Sequence, residues 1–223
     1  TILGMAAGTD ISTVTTLATK TSNTRFRIVY PDSVVLPITN GVGETTEYFV
    51  DGVYLAAGLA GNRCSPNRDV ATPWTGAQLV GFTQLGKNMD AVEMNQLAVK
   101  GITVFKTQAP FVKIRHGLTT DMTNVLTKTP TVIQIADEVH YNARAVLERF
   151  IGVKFLPGIL SQVEGRLSKM MAGMVKAQVI SSYTGISASV SNDDPTVAEV
   201  EAYFQPVFPL LYIVMTFHLR SSL

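Results

Sequence analysis

Few residues in this sequence are spaced for chemistry. The nearest approach is Gly81-Phe82-Thr83-Gln84-Leu85-Gly86-Lys87-Asn88. It fits the G-x-x-x-x-G-K phosphate-cradling loop up to the last position, where a Ser or Thr hydroxyl should ligate Mg²⁺ and Asn88 offers none. The helix behind such a loop should begin at the lysine, yet the better cap is Asp90, whose carboxylate repels phosphate. The bland reading is a glycine-bounded turn before a helix. An α/β phosphate-binding enzyme using residues 81–87 stays open as the reading from a different class. His116, His140 and His218 fall on a strand end, a helix and a strand, without the close ligand pair that zinc sites use. His140, beside Glu138, reads as a surface histidine. Cys64 has Arg63 and Arg68 nearby, which could lower its pKa, but no histidine, so an incidental or structural thiol is preferred. Asn192-Asp193-Asp194 lacks the spacing of a calcium loop and reads as a solvated turn before Pro195. No catalytic residue, cofactor or metal is expected; the chain does not read as an enzyme.

The elements that position these residues follow from periodicity. Residues 2–7 read as a short buried strand and Gly8-Thr9-Asp10 as a turn. Asp10 caps a helix over 11–21 with Val14, Leu17 and Ala18 inside. Residues 25–30 (RFRIVY) form a second strand stopped by Pro31. Strand, helix and strand make a right-handed βαβ unit and a partly parallel sheet. Residues 38–48 read as a polar loop, 48–60 as a small-residue buried helix, and 62–74 as an exposed loop. A helix over 90–99, capped by Asp90, precedes strands at 102–106 and 111–115 joined around Pro110. Residues 119–129 read as a second polar loop.

Thr129 as cap and Pro130 in the first turn open an amphipathic helix of about five turns. Its inward stripe is Val132, Ile135, Val139, Ala143, Val146, Leu147 and Phe150. A Met-rich helix follows over 159–174, then an apolar stretch at 178–183, a turn at Gly185, a polar loop at 191–195, and strands at 197–204 and 211–219. The fold class is α/β (α+β): a partly parallel sheet flanked by helices over 1–115, then a two-helix and antiparallel-strand domain over 116–223.

The 223 residues are 46% hydrophobic and only 16% charged, against about 25% charged in ordinary soluble domains. Mean hydropathy is +0.23. The longest apolar run, 207–217, is broken by Pro209 and too short to span a bilayer, so no membrane insertion is expected. Abundant Val, Ile, Leu, Met and Phe exclude disorder. A net charge of +1 leaves no nucleic-acid footprint. The single cysteine cannot form an internal disulfide and suits a reducing compartment. What remains is a hydrophobic chain whose surface other protein chains should cover. A start at Thr1, inside the apolar run Ile2-Leu3-Gly4-Met5, predicts residues upstream.

Charge placement points the same way. Residues 136–176 carry Arg144, Arg149, Lys154, Arg166, Lys169 and Lys176 against Asp137, Glu138, Glu148 and Glu164; residues 193–223 carry Asp193, Asp194, Glu199 and Glu201 against Arg220. The two could dock head-to-tail between copies, or be ordinary solvated faces. The apolar strand at 211–219 is an aggregation hazard as a free edge, and safe either as a central strand or by adding to another subunit's sheet.

Taken in order, these features resemble the contractile tail sheath proteins of bacteriophages. The opening ILGMAAGTDISTVTTLATKTSNTRFRIVYPD is similar to the start of the sheath core. YLAAGLAG at 54–61 with Trp74 beyond it, and DAVEMNQLAVKGITVF at 90–105, are similar to further family segments, with Thr103 where Asn is usual. The strongest likeness is C-terminal: Thr119-Thr120-Asp121, the helix over 133–150 ending at Ile151-Gly152, the Met-rich helix, Asp194-Pro195 and VAEVEAYFQPVFPLLYIVMTFHL. Sheath chains are usually longer, and their N-terminal exchange arm is not visible.

The resemblance implies a structural subunit that stacks as hexameric rings around a tail tube and contracts to drive it through the host envelope. Partners would be further copies of itself, the tail tube protein, and baseplate and tail terminator proteins, with no nucleic acid. The setting would be the virion, assembled in the host cytoplasm. It implies inter-subunit strand exchange through Leu211, Tyr212, Ile213, Val214, Met215, Thr216, Phe217, His218 and Leu219, the terminal strand augmenting a neighbour's sheet. Tube contact would fall to Arg144, Arg149 and Lys154. The sheath of a headless contractile injection system is the close alternative.

Overall fold

The structure, a computed structural model, describes residues 1–65, 68–156, 158–211 and 215–216. Strand β1 (Ile2–Gly4) leads through α1 (Ile11–Lys20) to β2 (Arg27–Tyr30), and the two strands pair in parallel with Leu3 opposite Ile28. Asp10 caps α1 by accepting the Thr13 N–H at 2.7 Å, and Val14 and Ala18 are fully buried. The βαβ start and its partly parallel sheet are as the apolar spacing predicts.

Residues 38–48 differ from expectation. They belong to an antiparallel hairpin, β3 (Ser33–Thr39) and β4 (Thr45–Asp51), whose turn is tied by the Asn40 side chain accepting from Val42 and Glu44. Both faces of β4 are mostly solvated, so its sequence lacks the apolar alternation that marks a half-buried strand. Helix α2 (Gly52–Arg63) follows and buries Leu55, Ala56 and Leu59, so the expected helix over 48–60 begins four residues later.

Short strands β5 (Gln78–Leu79) and β6 (Gln84–Leu85) precede α3 (Ala91–Val99). The α3 start is a full capping box: Asp90 accepts from Glu93 N–H at 2.7 Å, and the Glu93 carboxylate accepts from Asp90 N–H at 3.2 Å. Strands β7 (Ile102–Gln108) and β8 (Phe111–His116) complete a five-stranded sheet of order β1-β2-β7-β8-β5; β4-β3-β6 form a smaller sheet. One core cluster joins α2 to both sheets through Val34, Leu59, Trp74, Phe82 and Phe105. A second packs Val14, Ala18, Leu97 and Ile102.

The segment at 119–129 is more than a polar loop. Thr119, Thr120 and Thr129 are buried, and α4 (Val125–Lys128) is capped by Asn124. The Thr120 hydroxyl lies 3.1–3.3 Å from the carbonyls of Thr21, Asn23 and Phe26. Hydroxyls that reach backbone carbonyls in this way let a polar segment sit inside. Helix α5 (Pro130–Leu147) starts at its proline; Thr129 occupies the cap position, but its hydroxyl does not bond the helix. A 3₁₀ turn (Glu148–Phe150) follows, then α6 (Ile159–Lys176), which buries Val163, Leu167, Met171 and Met174 along one stripe.

Strands β9 (Ile180–Val190) and β10 (Ala198–Pro206) make an antiparallel ribbon lying on α5 and α6. Gly185, expected as a turn, lies inside β9. Its φ of +62° and the Tyr203 ring beside it mark the register shift between Glu201 and Tyr203, so this glycine bends a strand without ending it. Of the residues at 211–219, Leu211, Met215 and Thr216 lie outside regular structure; the others are outside the described residues.

Two glycines set a test of this packing. A Cβ at Gly4 would stand 2.2 Å from the Gly52 carbonyl oxygen, where backbone cannot yield, whereas one at Gly61 meets nothing within 4 Å. Thermal melting should show Gly4→Ala destabilising by about 1–3 kcal/mol. Gly61→Ala, in the last turns of α2, should stabilise by about 0.5–1 kcal/mol.

Candidate assembly surfaces

The phosphate-loop pattern at 81–88 does not make a cradle. Thr83 N–H donates to Val35 O at 3.2 Å and Gly86 N–H to Ser33 O at 2.9 Å, so these amides serve the small sheet and do not converge on an open site. Gly86 is packed so closely that a Cβ would come 2.3 Å from Ser33 Oγ. Lys87 Nζ lies 5.9 Å from the Tyr30 ring centroid, and the helix behind begins at Ala91 under its own acidic cap. Gly86 serves close packing and Gly81, at φ +99° with open space around it, serves a turn, so the enzyme reading through residues 81–87 is set aside on this geometry.

The other candidates resolve as solvated or structural groups. His140 is exposed on α5, while His116, at the end of β8, is half-buried; burial and then the Arg115 charge hold its pKa below the ordinary histidine value. His218 is outside the described residues. Cys64 is exposed at the end of α2. The Asp194 carboxylate accepts from Thr196 N–H at 2.8 Å and from its hydroxyl at 2.6 Å, which lowers its pKa and closes the turn between β9 and β10. Among the described residues no cluster of three or more His, Cys, Asp or Glu could hold a metal, and no helix is long and apolar enough to cross a membrane.

What the fold does present is surface. Arg144, Arg149 and Lys154 are all exposed near the turn joining α5 to α6. Around them Ile151, Val153, Phe155 and Leu156 are 46–80% exposed. A cavity of 510 Å³ opens here, lined by Arg144, Phe150, Phe155, Leu160, Val163 and Val200; Arg149 and Lys154 stand outside it. The structure thus brings the three cations to one end of the helix pair, mixed with apolar side chains that a solvated tip would not need.

The β9–β10 ribbon is the second surface. Within the described chain each strand pairs only with the other, leaving two free edges. Val200, Ala202 and Phe204 face the α5–α6 core. Glu199, Glu201 and Tyr203 face solvent.

A third feature escaped the sequence reading. Trp74, expected in an exposed loop, is 3% exposed. Its indole Nε1 donates to Gln134 Oε1 on α5 at 2.7 Å, and the guanidinium carbons of Arg63 and Arg27 lie 4.8 and 5.1 Å from its ring centroid. Such contacts are cation–π pairs, strengthened where water is excluded. Burial lowers the pKa of Arg27, with Arg25 adding to the effect and Asp137 opposing it; burial and then Arg68 push Arg63 down to about 9. Beside them Arg25 grips Asp137 of α5 with both terminal nitrogens, Nη1 at 2.7 Å. Only the fold assembles this group, so no local pattern in the sequence marks it.

No protein-family model matches the chain. A curated relative, the tail sheath protein of Mycobacterium phage Bxz1, is 28% identical over 229 residues, covering 99% of this chain and 38% of the relative. The fold is similar to the contracted sheath of an extracellular contractile injection system, PVC, at TM-score 0.77 and 11% identity, over 98% of this chain and 63% of that one. It is likewise similar to the contracted helical sheath of the anti-feeding prophage (TM-score 0.73, 11% identity, 97% and 60% coverage). The sheath tail protein of Desulfitobacterium hafniense matches at TM-score 0.69 and 12% identity, with 92% and 52% coverage. The chain therefore has the fold of contractile sheath proteins, and the likeness to phage tail sheaths read from its sequence is borne out. It spans 38% of the length of the phage relative and 52–63% of these sheath structures.

Trp74 should dominate local stability. Trp74→Ala should cost about 3–5 kcal/mol in chemical denaturation. Trp74→Phe, which keeps a ring for the guanidiniums but loses the Gln134 bond, should cost closer to 1–2 kcal/mol.

Proposed function

We propose that this chain is a sheath subunit of a contractile phage tail, polymerising as stacked hexameric rings around the tail tube and contracting to drive the tube through the host envelope. The observation that carries the reading is the match of nearly the whole chain to contracted sheaths, together with a relative named as a tail sheath protein. The free edges of the β9–β10 ribbon support assembly by strand addition, because an edge offers a row of unpaired N–H and C=O groups to an incoming extended segment. The segment proposed to supply that strand runs from Leu211 to Leu219, reaching a neighbour's ribbon. We read residues 1–115 as the core and 116–223 as the assembly part, since α5, α6 and the ribbon share a core cluster largely their own. The basic, apolar tip at Arg144, Arg149 and Lys154 is the proposed tube contact.

Function here needs no catalytic group. Subunits locked in an extended stack hold a higher-energy packing, and a baseplate trigger releases it to a contracted one with different inter-subunit contacts. Baseplate and terminator proteins would bind the two ends of the stack, in a virion assembled in the host cytoplasm. A headless injection device would use the same physics. The similarity to the PVC and anti-feeding prophage sheaths favours that second reading, and the nearer sequence likeness of the phage relative favours the first.

Negative-stain microscopy of purified protein should show tubes or six-fold rings, and a chain lacking residues 211–223 should show neither; normal tubes from the truncated chain would remove strand exchange from the proposal. Changing Arg144, Arg149 and Lys154 to Glu should slow tube-templated polymerisation at least about tenfold while untemplated rings persist, since opposed charges govern encounter rate and register. Unchanged templating would move the tube contact elsewhere.

A further inference from the structure

Arg63 and Arg68 stand out against the rest of the basic surface. Arg63 gives Nη1 to the Thr72 carbonyl at 3.2 Å and Nη2 to the Pro73 carbonyl at 3.1 Å, and Arg68 gives Nη1 to Asn62 Oδ1 at 2.6 Å. Their partners are neutral. The Nε atoms of Arg63, Arg68 and Arg27 are all buried and unpartnered. Arg27, 8% exposed, lies 5.1 Å from the centroid of the same Trp74 ring. Among the described residues neither Arg63 nor Arg68 has a carboxylate in ion-pair range. Two acids that line a pocket with Arg68 are otherwise hydrogen-bonded: Asp69 accepts from Ala71 N–H at 3.0 Å, and Glu138 from Asn142 Nδ2 at 2.8 Å. Asp137 is held by Arg25.

A partly desolvated guanidinium without a counterion is an unfavourable arrangement, and it is corrected when an anion arrives. Among the described residues beside the group, Cys64, Ser65 and Asp69 are exposed. Trp74 gives it a rigid floor, so little side-chain entropy remains to be lost on binding.

The same chain carries a matching pair of acids with no partner of their own. Glu199 and Glu201 sit two residues apart on the solvent face of β10, opposite Ser189 and Ser187, and no described cation lies within ion-pair range. Two residues along a strand separate such carboxylates by about 7 Å. Tyr203 continues the face and is 64% exposed. The exposed cations at the α5–α6 tip are a weaker match, because a fully solvated pair contributes little.

We infer that the Arg63–Arg68 group on Trp74 is a receptor for the Glu199–Glu201 face of the β9–β10 ribbon of a second copy of this chain. The contact rests on the sheath reading and adds to it a docking point distinct from strand exchange: the edges of the ribbon take a strand, while its outer face docks in a guanidinium site on another subunit. It also gives a physical reason for the acidic character of the ribbon, whose charges otherwise only repel one another.

A charge exchange tests this in the full chain. Arg63→Glu with Arg68→Glu, and separately Glu199→Arg with Glu201→Arg, should each reduce pelletable polymer at least about tenfold at fixed concentration. The fourfold variant carrying both reversals should return to near the wild-type level. Melting curves of the unassembled proteins check that each variant folds. Because a reversal at Arg63 is partly buried, a milder cycle runs beside it: Arg68→Gln and Glu201→Gln, singly and together. Each single change should raise the concentration needed for assembly, and the double should be no worse than either. Additive losses in that cycle, or reversals that polymerise normally, overturn the contact while leaving the sheath reading in place. A wild-type chain that stays monomeric at every concentration tested overturns both.

Discussion

The indole of Trp74 is the joint on which the rest of the molecule depends. It is buried in the cluster that binds α2 to the two sheets, its N–H reaches Gln134 on α5, and two arginines stack on it. Remove it and the core loses its largest apolar group, while the helix that carries the C-terminal half loses a bond to the sheet. The neighbouring Arg25–Asp137 pair is mostly solvated and contributes little by itself. Apolar burial at Trp74 sets the position, and the ion pair follows. From that joint α5 and α6 run outward, and the β9–β10 ribbon lies on them. A two-stranded ribbon alone is marginal in water; Ile180, Val200 and Phe204 on the α5–α6 core make this one persist.

How legible this was in the sequence depended on distance along the chain. Asp10 and Asp90 could be read as caps because a cap acts within three residues of itself. The stripes of α5 and α6 could be read because Val132, Ile135 and Val139, or Val163, Leu167, Met171 and Met174, repeat on one helix face. Within the β3–β4 hairpin, residues 38–48 read as a loop because they are polar and glycine-rich, with an outer strand mostly solvated on both faces. Gly185 reads as a turn because glycine tolerates the left-handed backbone that turns use, and only pairing with β10 shows that it bends a strand. Trp74 was placed outside because its neighbours, Pro66, Asp69, Thr72 and Pro73, are turn formers. What buries it comes from Arg27, 47 residues before it, and Gln134, 60 residues after. The guanidinium group was invisible for the same reason.

The charge-poor composition now has an address. Part of the excess is ordinary core: Leu55, Ala56 and Leu59 of the small-residue stretch are buried. Part remains on the outside. Val53 and Tyr54 on α2, the Ile151 to Leu156 tip, and Phe208 and Leu210 beyond β10 are 43–80% exposed. Apolar groups gathered at the end of a helix pair and beside a ribbon with free edges mark contact surfaces. On the proposed sheath reading, tube and neighbouring subunits would cover them.

That reading also constrains where the energy of contraction resides. Strand exchange through residues 211–219, if it forms a mesh that survives contraction, contributes about equally to both states. A contact of equal strength in two states shifts no equilibrium, however strong it is. The mesh would keep the subunits together without driving them. The drive must come from contacts that differ between the two packings, and these are surface pairings that can be made in one register and lost in another. On the contact inferred above, the guanidinium group and the acidic face would be such partners, since their attraction depends on the separation that sliding subunits would change. The division of labour is then physical. On the two contacts proposed above, backbone pairing at the ribbon edges would supply continuity, and side-chain charge on its outer face would supply the difference between states.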